Sequence, residues 1–187
     1  SMSPFLRRAA RITSTNGIVI PDPEGNPGRG YSPLLHRGAW TIECYVKLDG
    51  TNCSGWLIDN PGPLPNQITY RLFLSNNVPH VAFDTVSGFR YVQTGSRIPS
   101  NLWTHIAAVW SPERNTLSLY INGVFDAGQR IFEPGLASRF FASASPVTIA
   151  FNPDGSLVNR LAIDEVRIWG VDRTAEQIEA YRRFLVP

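Results

Sequence analysis

The chain has 187 residues, 43% hydrophobic and 17% charged, with a formal net charge of +2. That length suits one domain with a large core, and the composition excludes a disordered segment. No run of about 18 apolar residues occurs, which excludes a membrane-inserted helix. The basic residues are scattered, and only Lys47 among them is a lysine, so no basic face for a nucleic-acid partner is implied.

Residues 1–8 read as a lead-in, with Ser1-Met2 a cloning remnant, and residues 9–187 as one domain. Residues 11–13 and 18–20 flank Ser14-Thr15-Asn16-Gly17 and predict a short hairpin. The segment 21–30, PDPEGNPGRG, is a surface loop by its Pro and Gly content. In 39–48, Trp40, Ile42, Cys44 and Val46 alternate with Thr41, Glu43, Tyr45 and Lys47, the period of a strand with one buried face. Residues 55–59 are read as its hairpin partner. On that reading Cys44 and Cys53 either bridge across the hairpin or remain two buried free thiols. Asn52-Cys53-Ser54 matches a glycosylation sequon, a weak signal alone.

Residues 68–74 and 78–84 pair across Ser75-Asn76-Asn77, and 89–93 form a further strand. The segment 101–129 then reads as two consecutive hairpins. Both faces of 103–110 are apolar, as in a strand covered on both sides. Leu117, Leu119 and Ile121 alternate with Thr116, Ser118, Tyr120 and Asn122. Asn122-Gly123 is a strong hairpin signal because both residues tolerate positive φ. Residues 132–146 cross one end of the sandwich, 147–151 form a short strand, 152–155 a turn, and 161–169 a strand with mixed faces. Thr174 and Gln177 form a capping box, with Ile178, Tyr181, Arg182 and Leu185 at helical spacing. About a dozen short strands and one closing helix predict an all-β fold, an antiparallel β-sandwich with a short C-terminal helix.

Three segments carry a family resemblance: Trp103 to Val109 (WTHIAAV), Leu117 to Gly123 (LSLYING) and Ile163 to Trp169 (IDEVRIW). With 39–46 and 172–181 they resemble the laminin-G-like, concanavalin-A-like jelly-roll superfamily across residues 9–184. The resemblance implies a jelly-roll sandwich, and a secreted or cell-surface setting. Its members include lectins, adhesion modules and hydrolase appendages, so it implies no single function. It also implies a structural calcium on the closing strand, with Asp164 as the acidic ligand and carbonyls from Asn16 and Gly17.

Catalysis is not expected. Glycoside hydrolysis needs two carboxylates flanking the scissile bond, and the superfamily's Glu-x-Asp-x-x-Glu or Glu-x-Asp-x-Glu strand is absent here. Asp164 and Glu165 are adjacent, so a regular strand points them to opposite faces. His36, His80 and His105 are isolated in sequence and have no zinc-ligand spacing. His105, mid-strand, reads as a satisfied core or interface histidine. A non-catalytic glycan-binding module is the favoured expectation, with a protein-interaction or structural domain as its rival and a glycoside hydrolase third. Sugar recognition uses exposed rings with amide, carboxylate or guanidinium partners. Tyr45, Trp56, Tyr70, Arg90, Tyr91, Asn152 and Asp154 are the candidates.

Overall fold

The computed structural model describes residues 10–12, 17–21, 38–62, 67–85, 88–131, 145–150 and 161–183. They form two six-stranded antiparallel sheets and one helix. The strands are β1 (Ala10–Ile12), β2 (Ile18–Ile20), β3 (Trp40–Leu48), β4 (Gly55–Pro61), β5 (Ile68–Ser75), β6 (Val78–Thr85), β7 (Gly88–Gln93), β8 (Trp103–Ser111), β9 (Thr116–Ile121), β10 (Val124–Arg130), β11 (Val147–Ile149) and β12 (Leu161–Trp169). Helix α1 spans Ala175–Arg183. The first sheet runs β1-β12-β3-β8-β9-β10 and the second β2-β11-β4-β5-β6-β7.

Period-2 apolar residues from both sheets meet in one core. Trp40, Ile42, Cys44, Val46 and Leu48 of β3 are fully buried, as are Ile106, Ala108 and Trp110 of β8 and Leu117 and Leu119 of β9. Facing them are Ile58, Tyr70, Leu72, Val81 and Phe83 of the second sheet. Trp40 packs between Tyr70, at 5.8 Å, and Phe83, edge-on at 6.4 Å.

Two hairpin turns use residues that tolerate the left-handed region. Asn76 and Asn77 have φ of 51° and 64°, and Asn122 and Gly123 have 51° and 80°. The predicted pairing of Ile121 with Val124 is present. A Cβ at Gly123 would also displace the flexible side-chain ends of Glu179 and Arg182 on α1. Asn77 also ties two loops together: its Oδ1 accepts the Cys53 N–H at 2.6 Å and its Nδ2 donates to the Gly50 carbonyl at 3.1 Å.

Two expected hairpins are absent. β1 pairs with β12 in the first sheet, whereas β2 pairs with β11 in the second. Three-residue strands cannot stand as an isolated pair, and each instead lengthens a sheet. Likewise β3 is flanked by β8 and β12, and β4 by β5 and β11. The chain therefore crosses between sheets after β3, and the proposed bridge loses its hairpin. Cys44 and Cys53 are both buried free thiols. Burial pushes the Cys44 thiol well above the usual range and raises that of Cys53, where the Gly50 carbonyl, which accepts from the thiol, partly offsets it.

The mixed faces of 161–169 have a local cause. Between Asp164 and Arg167 the register with β3 shifts, and Glu165 has φ of 51°. This β-bulge resets the alternation: Leu161 and Ile163 face the core before it, Val166 and Ile168 after it. Arg167 and Trp169 are thereby turned to the outer face, beside Glu43.

Helix α1 lies on that outer face. Thr174 and Gln177 cap each other's backbone N–H as expected, and Ile178 packs on Ala107, Val109 and Tyr120. This explains why β8 is apolar on both sides. Beneath the helix, Glu43 and His105 are buried with Nε2 3.3 Å from Oε2. Glu43 accepts from Trp169 Nε1 at 2.9 Å and from Arg167 Nη1 at 3.5 Å. His105 is thus a buried histidine in a polar cluster, as its strand position suggests. Among the described residues no helix is long and apolar enough to cross a membrane.

Candidate functional site on the outer face of the second sheet

The outer face of β4–β7 is built by strand register. Directly opposed residues in an antiparallel sheet share a face, so two rows run across it. One row is Trp56, Phe73, His80 and Gln93. The next begins at Val19 and continues through Thr148, Asp59, Arg71, Ala82 and Tyr91. Asp84 and Phe89 are opposed beyond these. Neighbouring strands lie about 4.8 Å apart, so the rings form a band extended across the strands.

The rings are ordered by one another. Phe73 and His80 stack at 4.7 Å with 16° between planes, His80 lies 6.5 Å from Tyr91, and Tyr91 stacks on Phe89 at 5.8 Å. Phe89 and Tyr91 are 49% and 51% exposed. At the other end the Arg71 guanidinium carbon lies over Trp56, 3.6 Å from the ring centroid. Arg71 Nε also donates to Asp59 at 2.6 Å. Asp59 is buried beneath it, and that burial raises its carboxyl pKa despite the opposing pull of Arg71. Asp84 accepts the Ile68 N–H at 2.8 Å. Partial burial pushes the pKa of His80 below its usual value.

This arrangement offers ring surface, a rigid guanidinium and carboxylate acceptors, all on β-strands. Asp59 and Asp84 are each engaged, by Arg71 and by a backbone amide, and Asp59 is buried while Asp84 is partly exposed.

Of the residues expected from sequence, Trp56 and Tyr91 sit on this face. Tyr70 does not: it is fully buried in the core against Trp40 and has no face for a sugar. Its parity with Ile68, Leu72 and Leu74 already marked it as inward. Tyr45 lies under α1 on the other sheet, with its hydroxyl donating to the Arg182 carbonyl at 2.6 Å and its ring 4.9 Å from His105. Arg90 is opposed to Phe83, on the core-facing side of the edge strand, and its Nη1 donates to the Phe89 carbonyl. Asn152, Asp154 and Asn16 lie outside the described residues.

The remaining calcium residues are Gly17 and Asp164. Asp164 Oδ1 accepts the Glu165 N–H at 2.8 Å, closing the bulge, and Arg167 pairs with Glu43 and Glu165 rather than with Asp164. From Ala10 to Ile12, β1 runs alongside Ile163 to Leu161. Among the described residues, no group of three His, Cys, Asp or Glu suits a metal ion.

Sequence reading missed Phe73, His80, Arg71, Asp59 and Phe89. The available signal was the outward parity of Arg71 and Phe73 in 68–74, which puts an aromatic and a cation on a wet face. It pointed to a site only once β4 and β6 were aligned beside it.

The fold has known counterparts. The CBM40 domain of a Ruminococcus gnavus IT-sialidase, solved bound to α2,3-sialyllactose, superposes with a TM-score of 0.66 at 15% identity, covering 94% of this chain and 96% of that one. The receptor-binding domain of botulinum neurotoxin type G matches with a TM-score of 0.60 at 13% identity over 92% of this chain, which spans only 45% of that domain. A Trypanosoma rangeli sialidase, in complex with the inhibitor DANA, gives 0.66 at 15% identity, covering 91% of this chain and 26% of that one. Identities this low establish the fold alone. No curated protein matches the sequence. The family model described as the concanavalin A-like lectin/glucanases superfamily matches residues 14–179, nearly the whole chain, and the chain belongs to that superfamily.

Proposed function

We propose that this domain is a non-catalytic carbohydrate-recognition module of a secreted or cell-surface protein, with its site on the outer face of β4–β7. The observation that carries the reading is the band from Trp56 and Arg71 through Phe73 and His80 to the half-exposed Tyr91 and Phe89. Apolar rings flanked by a few fixed polar groups are the usual composition of a sugar site. The glycan-bound neighbour described above adds support at the level of fold. Single-site affinity on an open sheet face is weak, and arrayed copies would strengthen it.

Tyr91→Ala and Phe89→Ala should each weaken glycan binding by about tenfold, as expected for the loss of roughly 1–1.5 kcal/mol of ring contact. Their Tm should change little, because both rings are half open. Glycan-array signal and thermal melting measure the two effects. Binding unchanged in both variants would move the site elsewhere.

The rival reading, a protein-interaction or structural domain, draws on the edge strand β10, where Val124 and Phe125 are 68% and 56% exposed. Array silence together with cross-linking of a protein partner through β10 would favour it. Calcium is not needed for the proposed site. Melting in calcium and in chelator should give the same Tm, and a rise with calcium would reveal an ion bound to the native state.

A further inference from the structure

We propose that Arg71 anchors the site and that the ligand is an acidic glycan, with a sugar carboxylate on the Arg71 guanidinium and a linked sugar ring on Tyr91 and Phe89. The inference rests on the carbohydrate-site reading above and adds the ligand class and its orientation.

The guanidinium is fixed from two sides. Arg71 Nε donates to Asp59 at 2.6 Å, and the guanidinium carbon lies 3.6 Å from the Trp56 ring centroid. Asp59 is buried, whereas the Arg71 side chain keeps 16% of its surface open. Asp59 engages Nε, and among the described residues neither Nη group has a partner. Those two nitrogens form the end of a planar fork of N–H donors, which matches the two oxygens of a carboxylate. A loose surface arginine gives up side-chain freedom when it binds, and this one has already lost it. Asp59 is thus a positioning residue, and it also sets the charge. Its carboxylate offsets part of the Arg71 charge. Asp84, partly exposed on the same face and accepting from the Ile68 N–H, adds a second negative group. A donor fork with so little net positive charge suits a singly charged planar acceptor better than a dianionic phosphate.

Strand register sets the orientation. Asp59, Arg71, Ala82 and Tyr91 are opposed in turn across β4, β5, β6 and β7. Arg71 and Tyr91 are therefore two strand spacings apart, about 10 Å, and Tyr91 is stacked on Phe89. That gap exceeds one pyranose ring and suits a short chain of linked sugars lying across the strands. Affinity should rise from the acidic monosaccharide to the oligosaccharide.

The test is calorimetric titration of the intact chain with two matched pairs, 3′-sialyllactose against lactose and trigalacturonic acid against its methyl ester. The pairs separate a sialate from a uronate as the source of the carboxylate. Arg71→Ala would leave Asp59 buried without its partner and could unfold the chain. The variants are therefore Arg71→Lys, which keeps the charge and loses the fork, and Asp59→Asn with Arg71→Gln, which removes both charges. Thermal melting checks that each is folded, and Tyr91→Ala serves as the site control. The expected result is that the acidic member of at least one pair binds about tenfold more tightly than its neutral counterpart. Arg71→Lys should shrink that preference and the double variant should abolish it, and added salt should weaken the acidic ligand. Equal or tighter binding of the neutral members, lost in Tyr91→Ala, would overturn the ligand class and leave the site standing. A preference for the acidic member that survives in both Arg71 variants would overturn the anchor. Binding by none of the four ligands would overturn the ligand class and the site together.

Discussion

Replacing Glu43 by Ala is expected to destabilise the fold by about 3–5 kcal/mol, the range found when one partner of a buried ion pair is removed. Glu43 has no exposed surface and stands on the β3 face covered by helix α1. Its carboxylate holds Trp169 Nε1 at 2.9 Å and Arg167 Nη1 at 3.5 Å, with His105 Nε2 3.3 Å away. Truncation would leave the Trp169 N–H and the buried His105 ring without their acceptor, and Arg167 with Glu165 alone. Urea denaturation at neutral pH measures the loss.

The same group predicts the acid limb of stability. Burial alone would raise its pKa, but His105, Trp169 and Arg167 outweigh burial and hold it below 4.5. A carboxylate depressed in the folded state stabilises fully above its unfolded pKa, and that contribution is lost as the pH falls through the lower folded value. Stability should therefore drop below about pH 4.5, and Glu43→Gln should flatten that drop. An acid limb of unchanged steepness in Glu43→Gln would refute this role.

Trp40→Ala should cost a further large amount, about 3–5 kcal/mol, by opening a cavity at the centre of the sandwich. Trp40 is fully buried and touches aromatic residues of the opposite sheet, Tyr70 at 5.8 Å and Phe83 at 6.4 Å. Phe83 in turn packs on Trp110 at 5.2 Å, the register partner of Trp40 on β8. Surrounding rings of this size cannot collapse into the void without leaving their rotamers. The denaturation midpoint reports the loss. Contrast with Tyr91→Ala is the useful comparison: the core variant should lower stability throughout, and the surface variant should lower binding at nearly unchanged stability.

The sequence by itself determined most of the first sheet. Trp40 to Leu48 alternates so regularly that its buried face is legible residue by residue, and Asn122-Gly123 announces its turn because few other pairs accept two positive φ values. The Thr174–Gln177 box marks the helix start for an equally local reason. These features depend on neighbours a few residues apart. Tertiary structure alone decided which strands lie side by side: that β1 and β2 part into different sheets, that β4 leaves β3, and that the outward Arg71 comes to lie over Trp56. It also decided the bulge at Glu165, which turns Arg167 toward Glu43. Each of these is set by pairing between segments far apart in the chain. A single-residue shift in such pairing moves a whole row of side chains to the other face, so the site could emerge only when the four strands bearing it were placed together.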